Sequence, residues 1–123
     1  MALSNMTIHE VGGVSVVALE GRIVFGEESN ALRVKVKSLI AEGKQKIVLD
    51  MKEIEYIDSA GLGMLVAAHL NTKAHGTSLR LCNLGGKFQE VLRITKLATV
   101  FQICSTEATA VASFSKVSLN RDN

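Results

Sequence analysis

One short segment of this 123-residue sequence combines residue types that could do chemistry: Asp58-Ser59-Ala60-Gly61-Leu62. It follows an apolar stretch and opens a helical pattern, so Ser59 is predicted at a strand-to-helix turn. A serine there can cap the helix by accepting a hydrogen bond from a backbone N–H one turn ahead, which is worth ~1 kcal/mol relative to alanine. Capping is the more common role of such a serine, and a functional role is the alternative.

Two glycines in the predicted first turns of this helix bear on that choice. Glycine at Gly61 and Gly63 costs up to ~1 kcal/mol against alanine, so the sequence accepts a local penalty here. One explanation is a bare helix start, which lets a protein or a phosphate approach free N–H groups and a favourable dipole. The other is close packing against a neighbouring strand. The sequence leaves both explanations open.

Two known motifs of enzyme active sites do not match the sequence. The residues two positions before and after Ser59 are Ile57 and Gly61, so the sequence lacks the first glycine of the Gly-x-Ser-x-Gly motif of a hydrolase. The segment Gly85-Gly86-Lys87 lacks the earlier glycine and the following Ser or Thr of a phosphate-binding loop. We expect no cofactor, and we read this second segment as a strand-to-helix turn.

The histidines and cysteines also have structural interpretations. His9, His69 and His75 lack the spacing and neighbours of a metal site, and His69 falls among apolar helical positions, which predicts a core or boundary histidine. Cys82 and Cys104 each lie in an apolar, strand-like segment. We therefore expect buried reduced thiols and a cytoplasmic protein.

Composition narrows the class of protein further. The net charge is +2 and aromatic residues make up 4%, which argues against nucleic-acid binding by phosphate attraction and base stacking. No stretch approaches the ~18 apolar residues that cross a bilayer, and no signal peptide is evident, so we expect no membrane insertion. A hydrophobic fraction of 47% suits one domain over residues 1–123, with a structured core at about 6–114 and short polar tails.

Hydrophobic periodicity and glycine positions predict the elements that would hold Ser59 in place. The predicted strands are 6–10, 14–20, 46–50, 78–82 and 100–104, and the predicted helices are 27–42, 59–75, 87–94 and 106–114. Gly12-Gly13 is expected to turn a β-hairpin, Gly43 to end a helix, 21–26 to form a loop, and 54–57 to lead into the helix at Ser59. The predicted fold is α/β: a mixed, mostly parallel sheet of about five strands, opened by a β-hairpin and covered by about four helices.

The segment around Ser59 and several others resemble a known protein family. The segment Tyr56-Ile57-Asp58-Ser59-Ala60-Gly61-Leu62-Gly63, preceded by Ile47-Val48-Leu49-Asp50, resembles the signature of the STAS domain and specifically of the bacterial anti-sigma-factor antagonists. The similarity extends through Leu19-Glu20-Gly21-Arg22 and through Leu92-Arg93-Ile94-Thr95-Lys96-Leu97 and Val100-Phe101. It covers nearly the whole chain.

The resemblance implies a partner-switching role. In that family the serine matching Ser59 is phosphorylated by an anti-sigma factor that is itself an ATP-dependent serine kinase, and a phosphatase reverses the modification. The unphosphorylated antagonist binds the anti-sigma factor and frees the sigma factor. The chain would then be a substrate and not an enzyme, with a monomer or weak dimer expected. The candidate partner-binding residues are Arg22, Gly26, Asp58, Ala60, Gly61, Leu62 and Gly63.

Two other classes of function compete with this one. STAS domains also serve as scaffolds in stress-sensing assemblies and as accessory subunits of lipid transport systems. A nucleotide-binding or nucleotide-hydrolysing enzyme is the remaining alternative, and the sequence offers the least support for it.

Overall fold

The computed structural model describes residues 3–24 and 26–122, and within them it shows a five-stranded sheet with four α-helices. The elements in chain order are β1 (Leu3–Val11), β2 (Val14–Ile23), α1 (Glu27–Ala41), β3 (Lys46–Ile57), α2 (Ser59–Ala74), β4 (Ser78–Cys82), α3 (Gly86–Ile94), β5 (Gln102–Cys104) and α4 (Glu107–Asp122). The strands lie in the order β1-β2-β3-β4-β5, antiparallel between β1 and β2 and parallel elsewhere. The predicted fold class is confirmed.

Local turn chemistry accounts for two of the predicted element boundaries. Gly12 and Gly13 both have positive φ, 55° and 82°, which is the backbone of the tight turn that suits the twist of a β-hairpin. Gly43, with φ 84°, ends α1: its N–H donates to the carbonyl of Ile40, and the N–H of Lys44 donates to that of Leu39. These two bonds form a Schellman motif, which satisfies carbonyls at the helix end.

The sheet has an apolar core on each face, because successive residues of a strand point to opposite sides. On one face α1, α2 and α3 cover the larger core, which includes Val17, Leu19, Leu32, Leu49, Leu65, Leu81 and Leu92. On the other face α4 covers the smaller core, which includes Val16, Val48, Cys82, Ala110 and Phe114. Helix α2, which begins at Ser59, is therefore held by the larger core.

The main differences from the predicted elements lie in β2 and β3. Residues 54–57 do not form a separate approach to α2, because β3 runs without a break to Ile57. Likewise β2 continues to Ile23, so the predicted loop at 21–26 is shorter. Two register shifts in the β2–β3 pairing, between Ala18 and Glu20 and between Gly21 and Arg22, add residues to β3 without ending the ladder.

Other boundaries move outward or inward by a few residues. Strand β1 begins at Leu3 and α4 continues to Asp122, so much of the predicted polar tails belongs to regular elements. Strand β5 starts at Gln102, two residues later than predicted, after a 3-10 turn at Leu97–Thr99. No helix among the described residues is long and apolar enough to span a bilayer.

His69 occupies the buried position that its place in the helical pattern predicts. It is 6% exposed, and its ring centroid lies 5.3 Å from that of Phe101. Burial lowers the pKa of His69, nearby Lys73 lowers it further, and a hydrogen bond with the backbone of Val100 acts in the opposite direction. Burial therefore favours the neutral form of His69 in the folded protein.

The two thiols are free, in agreement with the prediction of reduced cysteines. Cys82 is buried, and burial is the main cause that raises its pKa to about 12. Cys104 is half-buried, so the prediction of full burial holds for Cys82 alone.

The lowered pKa of His69 predicts a pH dependence of stability. The unfolded chain protonates this histidine near its ordinary pKa of 6.5, while the folded chain resists protonation. The unfolded state then binds more protons, so the free energy of unfolding should fall as pH drops from about 7.5 to about 5.5. Urea unfolding of His69→Leu, measured across this pH range, should show a smaller fall than the wild type. Identical slopes for the wild type and His69→Leu would contradict this account.

Candidate functional site

Ser59 is the first residue of α2, and its side chain is exposed. It follows the carboxyl end of β3, where Ile57 pairs with Ile23 at the end of the parallel strand β2. The ends of two adjacent parallel strands therefore lie side by side at the edge of the sheet from which α1 and α2 start. In open α/β sheets, ligands and partners bind beyond this edge.

Asp58 caps helix α2. Its backbone is extended, with φ −97° and ψ 178°, and its Oδ1 accepts a hydrogen bond of 2.7 Å from the N–H of Gly61. Of the two roles considered for Ser59, the capping role is therefore wrong. The cap must be the last residue with a non-helical backbone, and Ser59 is already helical. Because Asp58 supplies the cap, the hydroxyl of Ser59 does not make the capping bond, and Ser59 is exposed.

The start of α2 is joined to the end of β2 at the carbonyl of Ile23. That oxygen accepts a hydrogen bond of 3.2 Å from the N–H of Asp58. A Cβ added at Gly61 would lie 2.2 Å from the same oxygen, closer than real Cβ contacts come. The helix can approach the strand this closely only because Gly61 has no side chain.

The two glycines of the first turns therefore have different explanations. Gly61 is buried and is explained by packing against β2. Gly63 is exposed, and a Cβ there would meet no atom within 4 Å. Of the two glycines, Gly63 is therefore the one that leaves open surface near Ser59.

The other residues proposed from the sequence divide between surface and interior. Ala60 is exposed next to Ser59, whereas the side chain of Leu62 lies in the larger core and is 8% exposed. Gly26 is exposed at the start of α1, with a φ of 127° that favours glycine. Leu62 and Gly61 therefore hold the helix in position and present no side chain to a partner.

Arg22 is also exposed, and its guanidinium carbon lies 5.4 Å from the ring centroid of Tyr56. The two residues are register partners on β2 and β3. Tyr56 is 52% exposed, and it was not among the residues selected from the sequence. The sequence could have indicated Tyr56 by its position three residues before Ser59. Its contact with Arg22 could not be predicted, because that contact depends on the strand register.

The arrangement offers an exposed hydroxyl on a fixed helix start. Within residues 3–24 and 26–122, no group of three or more His, Cys, Asp or Glu side chains could hold a metal ion. The cap takes the N–H of Gly61, and the N–H groups of Ser59 and Ala60 lie at the exposed end of the helix, where the dipole favours an anion. The site therefore places an exposed serine beside a helix start that favours negative charge.

Comparisons with known proteins agree with this geometry. The model of the STAS domain family matches residues 5–110. BtrV of Bordetella bronchiseptica, which is named provisionally as an anti-sigma factor antagonist, is 26% identical over 110 residues, covering 89% of this chain and 94% of its own length. The anti-sigma F factor antagonist of Paenibacillus polymyxa is 24% identical over 107 residues, covering 86% of this chain and 91% of its own length.

Solved structures share the fold at lower sequence identity. The phosphorylated form of the Bacillus cell fate determinant SpoIIAA superposes with a TM-score of 0.69 at 19% identity, covering 89% of this chain and 99% of that one. An anti-sigma factor antagonist from Mycobacterium paratuberculosis superposes with a TM-score of 0.75 at 21% identity, covering 89% of this chain and 92% of that one.

The contact at Ile23 predicts opposite effects for two identical substitutions. Gly61→Ala should destabilise the protein by about 1–3 kcal/mol, because the added methyl group overpacks against a backbone carbonyl. Gly63→Ala is the matched control and should be neutral or stabilising by up to ~1 kcal/mol, because alanine favours the helix and meets open space. Urea unfolding measures both free energies. Equal effects at the two positions would contradict the packing explanation.

Proposed function

The chain belongs to the STAS domain family, and we propose that it is an anti-sigma-factor antagonist whose binding is switched off by phosphorylation of Ser59. The observation that carries the proposal is that Ser59 is exposed in the first turn of α2, whose capping bond is made by Asp58. The names of the relatives from Bordetella bronchiseptica and Paenibacillus polymyxa support the same function.

The partner in this proposal is an anti-sigma factor that is also a serine kinase. It would bind the Ser59 surface, which we define as the exposed residues Arg22, Tyr56, Ser59, Ala60 and Gly63. Ser59, Ala60 and Gly63 lack bulky side chains, so a partner can approach the helix backbone closely. Arg22 and Tyr56 are of the types that most often dominate binding energy at protein interfaces. Unphosphorylated, this surface would hold the anti-sigma factor and so release the sigma factor.

Phosphorylation would end the binding through charge and desolvation. A phosphate adds about −1.5 to −2 charges and three acceptor oxygens to a residue that the partner covers. The carboxylate of Asp58 is adjacent, so like charges would accumulate at the interface. Within the domain the N–H groups at the start of α2 can accommodate the phosphate. The switch would therefore act at the interface and would not require refolding.

In this mechanism the chain is a substrate and its partners supply the catalysis. The kinase would transfer phosphate from ATP to the Ser59 hydroxyl, and a serine phosphatase would remove it. An ATP-dependent partner and free thiols suit a cytoplasmic setting. SpoIIAA, which shares the fold, has been solved in a phosphorylated form, and this supports phosphorylation as the switch.

Direct transfer of phosphate to Ser59 is the first test. Each anti-sigma factor kinase of the source organism is incubated with the chain and ATP, and the peptide containing Ser59 is examined by mass spectrometry. One kinase should add a single phosphate at Ser59 of the wild type and none to Ser59→Ala. If none of the kinases modifies Ser59, or if the modified residue lies elsewhere, the proposal is wrong.

A charge substitution tests the switch independently of the transfer. Ser59→Asp should weaken binding to the same kinase by at least about tenfold, equivalent to 1.4 kcal/mol, while keeping the wild-type circular-dichroism spectrum and melting temperature. Ser105→Asp is the matched control, because Ser105 is an exposed serine outside the Ser59 surface, and it should bind as the wild type does. Undiminished binding by Ser59→Asp in isothermal titration calorimetry would refute the switch.

A further inference from the structure

The second half of β3 has a strand neighbour on one side only. Its pairing with β2 continues to Ile57, but its pairing with β4 stops at Asp50, opposite Cys82. No other described strand pairs with residues 51–57 on the β4 side. Unpaired edges present backbone N–H and C=O groups that can pair with another chain.

The Asp50 carboxylate marks the point where the ladder ends. Its Oδ1 accepts hydrogen bonds of 3.0 Å from the N–H of Lys52 and 3.0 Å from the side-chain amide of Asn83. Asn83 has a φ of 58°, and there the chain leaves the direction of β4 toward α3. Because Lys52 already donates to Asp50, the open edge starts at residue 53.

A groove of about 220 Å³ lies between this edge and α3, and we call it the β3–α3 groove. Ile54 and Ile57 from β3 and Phe88 from α3 line it, and all three also pack against the larger core. Val91 lines the groove from α3 and is 37% exposed. A dry cavity of about 150 Å³ lined by such residues can hold benzene, so this groove has room for a large apolar side chain.

The groove is continuous with the Ser59 surface. Tyr56 belongs to both, because it lines the groove and its ring contacts Arg22. Ile57, which also lines the groove, is separated from Ser59 by Asp58 alone. A protein that covers Ser59 therefore lies at one end of the groove.

We propose that the β3–α3 groove receives an extended, apolar segment of the anti-sigma factor, which pairs as an added strand with residues 53–57 of β3 and places a large apolar side chain between β3 and α3. This inference rests on the function proposed above. Main-chain pairing at a sheet edge supplies affinity in such complexes, and the side-chain pocket supplies selectivity. The charged residues of the groove, Glu55 and Lys87, have opposite signs, so the groove favours an apolar segment over a strongly charged one.

The test is a charge introduced into the groove and away from the Ser59 surface. Val91→Glu should weaken binding of the anti-sigma factor kinase identified by phosphate transfer by at least about tenfold in isothermal titration calorimetry. The matched control is Ile94→Glu, on the same helix, because Ile94 is 63% exposed and is not part of the groove lining. It should bind within about twofold of the wild type. Circular dichroism establishes that both variants are folded.

Amide hydrogen exchange of the wild type tests the added strand directly. Those N–H groups of residues 53–57 that face away from β2 should become protected when the kinase binds, because they would enter a new ladder, whereas the others already pair with β2. Binding without this protection, or a Val91→Glu variant that binds as the wild type does, overturns the groove inference and leaves the proposed function intact. Protection that depends only on the concentration of the free chain would assign the groove to a second copy and also overturn it. If no anti-sigma factor binds the wild type, the proposed function fails and this inference fails with it.

Discussion

The close approach of α2 to the end of β2 is the constraint on which the site depends. The carbonyl of Ile23 accepts a hydrogen bond from the N–H of Asp58 and lies where a side chain of Gly61 would otherwise be. The carbonyl oxygen of Ile23 therefore fixes both where α2 starts and how near its first turn lies to β2. Because Leu62 and Leu65 continue the same helix into the larger core, movement of Ser59 relative to the sheet would disturb core packing.

This rigidity explains how the site can be both exposed and well defined. Functional residues usually lie on loops because loops are accessible, but elements of the scaffold hold a side chain more accurately. Ser59 combines the two properties because it is exposed and yet belongs to the first turn of a helix. Asp58 makes this possible by forming the cap, since a serine engaged in capping would have its hydroxyl directed at the backbone. In the proposed switch, a modification at Ser59 would change the surface charge while the fold stays the same.

The length of β3 links the site to the groove beside it. Two bulges keep β3 paired with β2 beyond the point where β4 ends, and this extension carries the chain to Asp58 next to Ile23. The same extension leaves an edge without a neighbouring strand and opens the space that α3 only partly covers. Bulges are common near functional sites, where they redirect a strand or end its pairing. Here the same bulged strand positions Ser59 and leaves the groove beside it.

The sequence by itself determined the features that depend on local physical chemistry. Gly12-Gly13, Gly43 and the apolar periods were sufficient to place the hairpin, α1, β4 and the start of α2, because positive φ and side-chain periodicity are local properties. The resemblance of the segment around Ser59 to a known family selected that serine. The tertiary structure decided what depends on contacts between distant residues. It showed that Asp58 and not Ser59 forms the cap, that Gly61 and Gly63 have different causes, and that β3 extends to Ile57. The cap is a local bond between residues three apart. The close approach of Gly61 to β2 and the length of β3 depend on where β2 lies relative to β3 and α2, and neither composition nor periodicity contains that register.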